Sequence, residues 1–156
     1  MFNKDLCRFL KAQDNGSPSV YDGAIAELSR GRKTGHWIWF VLPQLAGLGH
    51  SEMAQRYGIA GLEEARTYLA DPLLRQRLET VIAVIDAQLR QGGQSLEPLM
   101  GSGLDAAKTV SSLTLFEATG LESAGALLDR IGRRCGPTLE RLSKAQGKEA
   151  RRGEGA

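Results

Sequence analysis

The chain is expected to fold as one compact all-α domain of orthogonally packed helices, about seven or eight of them and mostly short. Three observations support this. Apolar residues recur three and four apart in most segments, no run alternates at period two, and Ser, Asp, Gly and Pro stand where helices need to start and stop. With 156 residues, a single domain would bury roughly 68 to 70% of its unfolded surface, enough for a core without staples. The domain is expected over 1–143, with 144–156 a disordered tail rich in charge and glycine.

Taken in order, Leu6, Phe9 and Leu10 make the apolar stripe of a first helix over Asn3 to Gln13. Ser17 followed by Pro18 reads as an N-cap with proline in the first turn, and Tyr21, Ile25 and Leu28 carry the second helix to Gly31. The run WIWFVLP from Trp37 to Pro43 is apolar at either period and must be buried; a helix starting near Gly35 or His36 would last about two turns before Pro43 stops it. Ser51 caps a short helix to Tyr57, and Leu62, Ala65, Tyr68 and Leu69 mark another. Asp71 and Pro72 start the most regular element, Pro72 to Gln91, whose Leu74, Leu78, Val81, Ile82, Ile85 and Leu89 predict a central core helix. After a brief helical turn, Ser102 with Asp105 resembles a capping box for a helix from Gly103 to Glu117. There Asp105, Lys108, Ser112 and Phe116 share one sector and Ala106, Val110 and Leu113 the other, so the polar stripe is not expected to face free solvent. Leu121, Ala124, Leu127, Leu128 and Ile131 give the next helix, and Gly136 and Pro137 turn the chain toward Leu139 and Leu142.

Composition narrows function by exclusion. The net charge is +2, and the last residues account for it, with Lys144, Lys148, Arg151 and Arg152 against Glu149 and Glu154. The folded body is then neutral, which argues against nucleic acid as a partner. No stretch approaches the roughly 18 apolar residues of a membrane span, and neither a signal peptide nor a lipidation motif is present. Cys7 and Cys135 lack metal-type spacing and are expected to be free thiols. A soluble, cytoplasmic protein is expected.

Four blocks, GRKTGHWIWFVLPQLAGLGHS, EEARTYLADPLLRQRL, DAAKTVSSLTLF and LLDRIGRRCGPTLERL, together resemble domain-of-unknown-function family 1810, a bacterial family often labelled calpastatin. The likeness covers nearly the whole chain apart from the tail. It implies an all-helical fold and brings no reaction or ligand. Calpastatins are disordered, proline-rich repeat inhibitors, whereas this chain has five prolines and a patterned core, so a calpain-inhibitor role is rejected. The family pattern falls on Gly31, Arg32, Lys33, His36, Trp37, Trp39, Phe40, Pro43, Gln44, Gly47, Leu48, Gly49, Ser51 and Tyr57, then on Glu64, Ala65, Tyr68, Leu69, Pro72, Arg77 and Leu78, and in the third block on Asp105, Lys108, Ser111, Ser112, Thr114, Leu115 and Phe116. Gly35 stands where the family has serine, and Asp71 where it has histidine, so no scheme needing either side chain applies here.

No metal or other cofactor is expected: the two histidines are 14 positions apart and no HExxH, HxH or CxxC pattern occurs. Nucleophilic catalysis lacks its GxSxG elbow. His36, Glu64 and Asp105 are the acid–base candidates. In LAGLGHS the glycines free the backbone and Ser51 caps a helix start, a place for an anion beside Arg32 and Lys33. Two functions fit. The first is a site for a small polar, anionic or nucleotide-like ligand, with hydrolysis conceivable, built from Arg32, Lys33, His36, Trp37, Trp39, Gln44, Asp105 and Lys108. The second is a protein interaction module that takes a partner segment in an aromatic groove.

Overall fold

The computed structural model describes residues 3–154, with side chains over 6–147. Among these, ten helices form one all-α domain: α1 (Asn3–Asp14), α2 (Val20–Ser29), α3 (Ile38–Val41), α4 (Glu52–Tyr57), α5 (Leu62–Ala70), α6 (Pro72–Arg90), α7 (Leu96–Met100), α8 (Gly103–Ala118), α9 (Glu122–Ile131) and α10 (Gly136–Glu154). The count exceeds the seven or eight expected, and the short pieces expected before Pro43 and before Ser102 are the one-turn helices α3 and α7.

Side-chain caps start four of these helices. Ser51, Asp71 and Ser102 accept from backbone N–H groups two or three residues on, Asp71 from both Leu73 and Leu74 at 3.0 Å. The cap of α2 differs from expectation. Ser19, in extended backbone, accepts from the Asp22 amide at 3.1 Å, and Pro18 stands in the turn before it. α3 also starts later than expected, at Ile38, because the preceding loop is tied down by other partners and cannot wind into helix. Beyond Pro43 the chain runs extended, and Ile59 bonds Gln44 and Ala46, each at 2.8 Å, in an isolated parallel bridge. α10 continues to Glu154 through Lys, Ala, Gln, Glu and Arg, which favour helix. No described helix is long and apolar enough to cross a membrane.

The core corrects one expectation. α6 buries Leu74, Leu78, Val81, Ile82 and Ile85 but leaves Arg75, Gln76, Glu79, Thr80 and Ala83 exposed, so it is a flank of the domain. The centre is α8, buried without a break from Thr109 to Phe116. Helices α3, α5, α7, α9 and α10 all pack on it. Burial on every side explains why its stripe of Ser112 and Phe116 is not a solvent face. Ring packing joins the layers, with Tyr68 set edge-on against Phe9 at 5.2 Å and tilted against Phe116 at the same distance.

Candidate functional site

The Gly31–Trp37 loop is organised by Glu27, in the last turn of α2. Its Oε1 accepts from the amides of Thr34 and Gly35, both at 2.7 Å, and from the Trp37 indole at 3.0 Å. Burial raises this carboxyl, but the bonds from Gly35, Thr34 and Trp37 outweigh it and hold Glu27 below the ordinary carboxylate range. A Cβ at Gly35 would lie 2.9 Å from the same carboxylate and 3.0 Å from the Trp37 ring. The glycine at this position therefore keeps the carboxylate in contact with the loop.

Lys33 is anchored at both ends. Its amide donates to the Leu99 carbonyl at 2.8 Å, and Gly101, at φ +87°, lets the α7–α8 turn come so close that a Cβ there would meet the Lys33 carbonyl at 2.9 Å. Its Nζ donates to the Gly35 carbonyl at 2.6 Å and to Asp105 Oδ2 at 2.7 Å, and it lies 5.1 Å from the Trp37 ring centre. The side chain is only 6% exposed. Asp105 completes half of the expected capping box, since its amide donates to Ser102 Oγ at 3.1 Å. Its carboxylate turns instead to Lys33 and, at 3.8 Å, to Lys108. The Lys108 ammonium in turn lies 4.9 Å from the Trp39 ring centre.

The structure thus brings Lys33, Trp37, Trp39, Asp105 and Lys108 into one cluster. The other sequence candidates are placed differently. Arg32 and His36 are exposed on the same loop. Gln44 borders, with Trp39, Gly49, Met53 and Tyr57, a hollow of about 10 Å³, room for a single water. Glu64 accepts from Arg8 at 3.0 Å and from the Ala60 amide at 3.1 Å. The two glycines of LAGLGHS are explained by packing: Gly49 would press a Cβ to 2.9 Å from Ala54, and Gly47, at φ +92°, faces the Arg141 guanidinium.

Sequence reasoning missed Glu27. A signal existed, because an acidic side chain in a helix's last turn opposes the helix dipole and needs donors from elsewhere. Chemically, Lys33 spends its donors on Gly35, Asp105 and the Trp37 face. Lys108 carries the donors still available, and two ammonium groups share one carboxylate beside two indoles.

Fold and site together define an all-helical protein whose central helix meets an aromatic, cationic loop through an ion pair. The chain belongs to the family described as protein of unknown function (DUF1810), whose model matches residues 3–142. Among solved structures it is similar to the conserved hypothetical protein Rv1873 from Mycobacterium tuberculosis, with 41% identity over 89% of this chain and 96% of that one and a TM-score of 0.80. No curated protein matches it.

Proposed function

We propose that the chain binds a small planar anion of nucleotide type at Lys108 and Trp39, over a floor made by Lys33 and Asp105. The observation that carries this reading is the placement of Lys108: its ammonium stands 3.8 Å from an Asp105 carboxylate already engaged by the almost fully buried Lys33, and 4.9 Å from the centre of the Trp39 ring. A buried ion pair adds little net stability compared with apolar packing, so its presence beside half-exposed groups supports a binding role. The uncommitted donors of Lys108 suit a phosphate or carboxylate, and the half-buried Trp39 ring suits a flat base.

Binding alone is proposed. His36, Glu64 and Asp105 have no hydrogen bond or ion pair to one another, and Glu64 and Asp105 are held by separate partners, which leaves hydrolysis without a supporting geometry. The exposed large apolar side chains, Leu73, Leu104 and Leu139, stand on three different helices, so the interaction-module reading has less support. The test is a tryptophan-fluorescence titration with AMP, ATP, inorganic phosphate and succinate. AMP should change the emission and raise the melting temperature, and Lys108→Ala should weaken it at least tenfold while leaving the fold intact. No response to any of the four, or a Lys108→Ala affinity within twofold of the wild type, overturns the reading.

A further inference from the structure

Between the start of α5 and the middle of α10 lies a groove of about 820 Å³ that shares no residue with the Lys33 cluster. Its size falls within the roughly 300 to 1,000 Å³ of small-molecule sites. The apolar part of its lining comes from Leu6, Leu45, Leu62 and Leu142, contributed by three helices and the extended segment after Pro43.

Charge on the rim is unbalanced. Glu64 is neutralised by Arg8 at 3.0 Å. Arg66 and Arg141 have no carboxylate partner among the described residues, and Glu63 is the one unpaired acid beside them. Arg141 lays its guanidinium against Gly47, whose φ of +92° calls for glycine.

We propose that this groove binds a linear amphipathic anion, an alkyl chain ending in a carboxylate. The chain lies on the leucine lining, and the headgroup pairs with Arg141, whose fork of N–H donors matches a carboxylate. Arg66 adds to the positive field of the rim. Burial of each methylene favours the chain over a bare acid, and the guanidinium favours the acid over the matching alcohol.

The experiment is calorimetric titration with decanoate below its micelle-forming concentration, alongside 1-decanol and acetate. Decanoate should bind one to one, at least tenfold more tightly than either of the others. Arg141→Met should cost decanoate at least tenfold and leave decanol within twofold. Gly61 lines the groove in extended backbone (φ 171°) with nothing within 4 Å of a built Cβ, so Gly61→Leu should block both ligands without disturbing the fold. Ala145→Trp, from the α10 wall, provides a second block, and circular dichroism checks that each variant is helical. Absence of decanoate binding overturns the proposal. So does binding that survives both blocks, or decanol binding as tightly as decanoate.

Discussion

The Lys33 ammonium sits 2.7 Å from the Asp105 carboxylate across 72 residues of chain, and this pair fastens the Gly31–Trp37 loop to the first turn of α8. Removing one partner leaves a buried charge unanswered, whereas removing both does not. Asp105→Ala should cost about 3 kcal/mol in urea unfolding, and the double change Lys33→Met with Asp105→Leu should cost clearly less. A loss below about 1 kcal/mol for Asp105→Ala would show that water solvates the Lys33 ammonium readily once the carboxylate is gone.

Two hydroxyls of α8, two positions apart, should respond in opposite ways. Ser112 Oγ is buried without a hydrogen-bond partner, so Ser112→Ala should be neutral or stabilise by up to about 1 kcal/mol. Thr114 Oγ1 donates to the Val110 carbonyl at 2.7 Å and accepts from the Cys135 amide at 3.0 Å. Thr114→Val keeps the shape but orphans that amide, and should cost about 1 to 2 kcal/mol. Thermal unfolding of the two variants side by side is the check, and equal shifts would contradict this account of the core.

Glu27 makes the domain acid-sensitive in a stated direction. Its folded-state pKa is depressed from the ordinary 4.5, first against the desolvation that raises it and then through the bonds from Gly35, Thr34 and Trp37. A depressed carboxyl contributes stability that is fully present above the unfolded value and is lost as pH falls through the folded one. The stability gap between wild type and Glu27→Gln should therefore be constant above about pH 5 and shrink below pH 4.5. A gap unchanged down to pH 3 would mean that Glu27 does not hold the loop, because the glutamine of Glu27→Gln does not titrate.

Much of the fold was legible because it rests on local chemistry. Ser51, Asp71 and Ser102 cap where they were expected to, since a cap needs only a short oxygen side chain and amides two or three residues away. The stripes of α1, α6 and α9 were readable for the same reason. The one-turn α3 was not, because its boundaries depend on Glu27 and Leu99 holding the loop before it. Nor was the rank of the helices. α6 has the cleaner stripe because one face meets water, while α8 is buried on all sides and so loses the periodic signal.

By itself the sequence determined the all-α class, the order of the principal helices and the family, because periodicity, caps and ordered blocks are properties of neighbouring residues. It also marked Lys33, Trp37, Trp39, Asp105 and Lys108 as residues to watch. Only the tertiary structure decided which of them meet. The Asp105 carboxylate leaves its own capping box for a lysine far away in sequence, and Glu27 gathers a loop it precedes. Arg141, a residue of the last helix, lays its guanidinium against Gly47. Contacts of this kind depend on how separate helices pack, and no local pattern of residues carries that information.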